Sequence, residues 1–217
     1  MEKFSELKQK IISHIKHVLE SSNSSGHPRK QKIGYSRFQH TMRVYKWMEV
    51  LYEAYPHKEN VDINSLIIAT LFHDIGYYDE TNQVDHAYIG SKYCREYLNK
   101  INYPTDKIDF ICELISMHSD KEKLQGDIPA ELILLIEADL LDDTGAQSIV
   151  LDIWVNSLNL HPSFEMFLEQ IKQVTGNIMK DNPMRTEKGK KLWYEKQQLV
   201  EKFISSYERD IDISICL

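Results

Sequence analysis

Apolar residues recur at intervals of three and four along most of this chain, and that spacing restricts it to helices. Phe4, Leu7, Ile11, Ile15 and Val18 line one face of a first helix, from about Phe4 to Leu19. Val44, Trp47, Met48 and Leu51 do the same between about Ser36 and Tyr55, with His40 one turn ahead on the same face. A third helix is expected from near Asp62, running through Ser-Leu-Ile-Ile-Ala-Thr-Leu-Phe into His73 and Asp74 and stopped by Gly76. A fourth, about His86 to Lys100, would bury Ile89, Tyr93 and Tyr97. Thr105, after Pro104, is placed to cap a fifth, in which Ile108, Ile111 and Ile115 lead to His118. Pro129 opens a sixth, where Leu132, Leu135 and Ile136 share a face with Asp139. Gly145 interrupts it, and Ala146 to Leu158 continues as helix. Two more patterns fill Pro162 to about Ser205, split near Asn182-Pro183, with Thr186 placed to cap the last. No strand-length alternation or internal repeat is evident. With only 8 Gly and 6 Pro in 217 residues, turns are few, and the expected class is all-α, a bundle of about eight to ten helices.

The formal net charge is -7, opposite in sign to that of a general nucleic-acid binder, whose affinity comes from neutralising phosphates. A local basic pocket for a small phosphate ester remains compatible with it. The basic half of the polar stretch after the first helix (Arg29, Lys30, Lys32) reads as a solvated loop. Cys94, Cys112 and Cys216 lie far apart, without CxxC spacing, and read as reduced thiols. The amphipathic N-terminus does not resemble a signal peptide, and no apolar run approaches the roughly 20 residues of a membrane span. The expectation is a soluble, cytoplasmic protein without a nucleic-acid or membrane partner, and with a homodimer as the default assembly.

His40, His73, Asp74, His118 and Asp139 each fall on an apolar face or at its end, where an unpaired carboxylate is costly. Several helices each offering one or two N/O ligands suit a divalent metal held between them. Imidazole with carboxylate favours Mn, Fe, Ni, Co or Zn; an all-oxygen Mg or Ca site would not need the histidines, although Mg stays open. Each residue also has a plainer reading, as a core or capping histidine or, for Asp139, as an ion pair with Arg43.

Three segments carry a resemblance. Tyr35-Ser36-Arg37-Phe38-Gln39-His40-Thr41-Met42-Arg43-Val44, Leu71-Phe72-His73-Asp74-Ile75-Gly76 and Glu137-Ala138-Asp139-Leu140-Leu141-Asp142 resemble the successive motifs of the HD-domain superfamily. Ile115-Ser116-Met117-His118-Ser119 resembles the segment between the last two, and the run Glu137 to Gln147 with Met184-Arg185-Thr186-Glu187 resembles a stand-alone bacterial subgroup. The resemblance implies a single helical domain over 1–217, with its motif-bearing core at about 35–145 and the C-terminal helices packed on it. It implies a metal-dependent phosphohydrolase acting on a nucleotide or another small phosphate ester. His40, His73, Asp74 and Asp139 are then the metal-binding set. His86 and His118 fall where dinuclear relatives place extra histidines, so one or two ions are expected; in a mononuclear enzyme these two would contact phosphate or water instead.

Tyr77 and Tyr78 stand where the alarmone hydrolases carry acidic residues, which argues against that reaction. The HHE motif of the cyclic-di-GMP phosphodiesterases is absent as well. In the implied mechanism, metal-activated water attacks phosphorus and Asp74 both ligates and orients that water. Arg43, one turn after His40, would clamp a phosphate. Asp79 is a general-base candidate, with an exposed loop acid as its alternative. Lys92 and Lys121 are weaker phosphate candidates, with surface placement as the default. Two other classes stay open: a non-catalytic metal- or nucleotide-binding HD protein, and a di-iron oxygenase.

Overall fold

A computed structural model of the chain describes residues 2–21, 35–78, 85–158 and 161–212. Arg29, Lys30, Lys32, Asp79 and Cys216 lie outside the described residues. Every regular element among those described is helical, as the spacing of apolar residues predicts. The chain divides into two compact units, Met1–Asp139 and Leu140–Leu217. No described helix is long and apolar enough to cross a membrane.

The first unit is built on α1 (Glu2–Ser21), α2 (Arg37–Glu53), α3 (Ile63–Phe72), α4 (His86–Lys100), α5 (Thr105–Met117) and the greater part of α6 (Ala130–Asp142). Ser36 caps α2 by accepting from Gln39 N, and Asp62 caps α3 by accepting from Ser65 N. After its first turn α3 is apolar except for Thr70, whose hydroxyl donates to Leu66 O, so it occupies the middle. Leu66, Ile68, Ala69, Leu71 and Phe72 are fully buried, and α3 packs against α1, α2 and α5. The start of α6 is tied to the start of α3, because Glu131 Oε1 accepts from Asp62 N at 2.6 Å.

Three expectations change here. Thr105 begins α5 but does not cap it: Pro104 holds the cap position, and its carbonyl accepts from Ile108 N at 3.0 Å. Gly76 does not end α3. The α-helix ends at Phe72, and the chain tightens into a 3-10 turn, Ile75–Tyr78, that contains the glycine. A Cβ on Gly76 would stand 2.0 Å from His86 O and 2.8 Å from Gly90 N, so glycine is there to let α4 touch the turn. The same close approach sets the buried stripe of α4. It is Ala87, Gly90, Cys94 and Leu98, whose small residues permit it, while Ile89, Tyr93 and Tyr97 sit half-buried on the shoulder. Cys94 and Cys112 are free, buried thiols.

The second unit carries α7 (Ala146–Asn156), α8 (Phe164–Ile171) running on as a π-turn (Lys172–Gly176), and α9 (Glu187–Ile211). Gly145 opens α7 with a positive φ of 78°, a conformation that favours glycine. Ser163 caps α8 and Thr186 caps α9, accepting from Met166 N and Gly189 N. Thr175 Oγ1 donates to Asp152 Oδ2 at 2.6 Å, joining the π-turn to α7. Lys196 Nζ donates to Thr144 O at 3.1 Å, which holds α9 against the turn before α7.

Candidate metal centre

α2, the end of α3, α4, α5 and α6 each deliver polar side chains to one point in the first unit. His40 comes from α2 and His73 and Asp74 from the end of α3. His86 opens α4, His118 follows α5, and Asp139 lies on α6. His40, His73, Asp74, His118 and Asp139 are buried; His86 keeps 21 % of its side-chain surface. The structure thus brings all six sequence candidates for ligation together.

Asp74 is the centre of the arrangement, and its two oxygens divide the histidines. Oδ2 lies 3.2 Å from His40 Nε2 and 3.6 Å from His73 Nε2. Oδ1 lies 3.4 Å from His86 Nε2 and 3.6 Å from His118 Nε2. Asp139 Oδ1 faces the first pair, 3.3 Å from His40 Nε2 and 3.8 Å from His73 Nε2.

Local backbone sets the ring orientations. His73 Nδ1 donates to Thr70 O at 2.7 Å, and His118 Nδ1 donates to Ile115 O at 2.7 Å, each to the carbonyl three residues back. In the neutral ring, that bond leaves the lone pair on Nε2, which points to the centre. Burial, the largest influence, pushes His73 down to about 4 despite the nearby Asp74 and Asp139. His86 is also lowered, again first by burial. Burial alone would raise the two carboxyls, but their cationic and imidazole neighbours outweigh it. His73 and Arg37 lead for Asp74, and Lys121 leads for Asp139, so both lie well below the usual carboxylate range.

His73 Nε2 is buried and has no hydrogen-bond partner, although two ionised carboxylates stand within 3.8 Å. A lone pair aimed at anionic oxygens is unfavourable, and a metal cation between them relieves it. Ligand atoms of His40, His73 and Asp139 lie within 4.8 Å of one another, as do those of His73, Asp74 and His118. The donor set therefore fits a divalent metal, of the imidazole-plus-carboxylate type.

Cations and aromatic rings flank the cluster. Arg37 NH1 donates to Asp74 Oδ2 at 2.7 Å, with its guanidinium 4.1 Å from the Tyr77 ring centroid and 5.3 Å from that of Tyr35. Tyr77 stacks on His86, with centroids 4.2 Å apart and planes 13° from parallel. Lys121 pairs with Asp139 Oδ2 and also donates to His118 O at 3.2 Å. Nothing in the spacing of residues places Arg37 or Tyr77 at this centre. Arg37 stands three residues before His40 as Arg43 stands three after, and helical spacing treats the two alike. Arg43 is half-buried on α2.

The described elements are all helical, and they bring together a buried histidine–aspartate cluster able to hold a metal ion. Residues 37–144 match the HD domain family. No curated protein matches the chain. An HD-superfamily hydrolase from Bacillus thuringiensis is similar in structure, with a TM-score of 0.68 and 20% identity over 95% of this chain and 97% of that one. YpgQ of Bacillus subtilis, solved in complex with ADP, has a TM-score of 0.66 and 18% identity over 96% of both chains. A predicted HD-superfamily hydrolase from an uncultured Thermotogales bacterium has a TM-score of 0.63 and 18% identity, over 94% and 92%. This chain is an HD-domain protein.

Proposed function

We propose that this protein is a metal-dependent phosphohydrolase acting on a nucleotide or a similar small phosphate ester. The observation that carries the reading is the unpartnered Nε2 of His73 between two ionised carboxylates. His40, His73, Asp74 and Asp139 would hold a first divalent ion, and Asp74 Oδ1 with His86 and His118 offers donors for a second. Bound there, the metal supplies Lewis acidity toward a phosphoryl oxygen and lowers the pKa of bound water.

The remaining roles belong to the chain. Asp74, fixed by Arg37 at Oδ2, orients the attacking water. Lys121 fills one oxygen of Asp139 and leaves the other toward His40 and His73. Arg37 and Lys121 place positive charge beside the carboxylates, where a phosphate's negative charge is stabilised. Arg43, on the same helix as His40, is a candidate for a further phosphate contact, and Asp79, outside the described residues, is the candidate general base. The ADP bound to YpgQ, which shares the fold, supports a nucleotide as the substrate class.

The test is metal content and turnover of Asp74→Ala on a panel of nucleotides and simpler phosphate esters. Loss of bound metal together with turnover is expected; unchanged metal and unchanged turnover contradict the reading. The dinuclear donor arrangement also suits a di-iron oxygenase. Two irons with oxygen-dependent turnover would favour that alternative.

A further inference from the structure

A second recess lies apart from the cluster, between α1 and α4. Its volume is about 230 Å³, and it is lined by His14, Tyr93, Glu96, Tyr97, Lys100 and Ile101. It is smaller than the roughly 300 Å³ at which drug-sized pockets begin, so it suits one ring system rather than a whole nucleotide. Three of the six residues are aromatic. The His14 ring lies 4.5 Å from the Tyr97 centroid, and His14 Nε2 is hydrogen-bonded to Tyr93 OH at 2.9 Å. These bonds and contacts hold the rings as a preformed wall, which lowers the ordering cost of binding a planar ligand.

The polar groups define what that ligand presents. Glu96 and Lys100 are one turn apart on α4, both exposed, and make no ion pair with each other or with any described residue. They offer a carboxylate acceptor and an ammonium donor at the mouth of an aromatic recess. A guanine-type edge is complementary to this pair. Its adjacent ring and exocyclic N–H groups donate to a carboxylate, and its carbonyl oxygen accepts from an ammonium. We propose that the His14–Tyr97 recess is a non-catalytic binding site for a purine base of the guanine type.

The recess adjoins the segment that carries His73 and Asp74. The Tyr93 ring is 5.1 Å from that of Tyr78, the last residue of the 3-10 turn after Asp74. The Tyr97 ring is 5.3 Å from that of Phe72, the residue before His73.

The experiment is isothermal titration of the metal-free protein with guanosine, which has no phosphate to hydrolyse. Uridine serves as the control. Saturable binding of guanosine at one site, weakened by about tenfold in Glu96→Gln and in Lys100→Ala, is expected. Both substitutions are at exposed positions and leave the core intact. Asp74→Asn should bind guanosine as the wild type does. No binding, equal binding of uridine, or binding lost in Asp74→Asn but kept in Glu96→Gln and Lys100→Ala overturns the proposal. No turnover or metal enters this readout, so its failure is separable from failure of the phosphohydrolase reading.

Discussion

Lys121 is paired with Asp139 through Oδ2, while His40 and His73 lie nearest the other oxygen, Oδ1. The ammonium thus compensates a buried carboxylate without standing where a ligand to the histidines would sit. In the metal-free protein, Lys121→Met leaves Asp139 short of a counter-charge. Because Lys121 is about one-third exposed, the expected loss is moderate, about 1–3 kcal/mol. Added Mn or Zn supplies the missing charge, so the deficit should shrink in metal. Chemical denaturation of both proteins, with and without metal, measures this; an equal deficit in both states contradicts it.

The pH dependence of the metal-free protein follows from His73. Its ordinary value of 6.5 is lowered to about 4 by burial. The unfolded chain therefore takes up a proton before the folded one does. The associated stability is complete above pH 6.5 and is lost as pH falls from 6.5 through about 4. The full shift corresponds to about 3 kcal/mol. His86, lowered in the same sense, adds to the loss below 6.5. The denaturant midpoint should fall across that window in the wild type and fall less in His73→Gln.

Gly76 and His86 cannot separate without moving the site. A methyl group on Gly76 collides with backbone, at 2.0 Å from His86 O, so no rotamer change relieves it. Gly76→Ala should destabilise by about 1–3 kcal/mol or more and shift His86 from Asp74. Gly126→Ala is the control, since its Cβ would meet only Lys123 O, at an ordinary 3.4 Å. Thermal unfolding of the two variants should differ by several degrees.

Arg37 reaches Asp74 and lies over the ring of Tyr77. Lysine reproduces the charge but not the planar stack. Arg37→Lys should lower kcat on a phosphate ester by roughly a hundredfold while leaving metal content unchanged. A fall in metal content equal to the fall in rate would assign Arg37 to holding the ligands instead.

Much of this was legible in the residues, and the gaps have physical causes. Helices were readable because burying one face of each imposes a three-to-four spacing, and Asp74 and Asp139 stood out as carboxylates on apolar faces. Which arginine serves Asp74 was not readable. Arg37 and Arg43 are equally spaced from His40, and only tertiary packing turns the N-terminal end of α2 toward the carboxylate. Gly76 looked like a helix stop because the chain pattern cannot show a second helix lying against it. Lys121 sits on a five-residue 3-10 turn, Lys121–Gln125, too short to leave a periodic signal. Its pairing with Asp139 spans 18 positions in sequence.

His40, His73, Asp74 and Asp139 are proposed to hold a divalent metal. Anomalous diffraction from crystals of the purified protein, recorded at the absorption edges of Mn, Fe, Co, Ni and Zn, tests it most directly. A peak bonded to His73 Nε2 and to oxygens of Asp74 and Asp139 is predicted, with a second beside Asp74 Oδ1 if His86 and His118 also ligate. Well-ordered density for the cluster with no peak after soaking in these metals, or a peak only elsewhere on the protein, would contradict it.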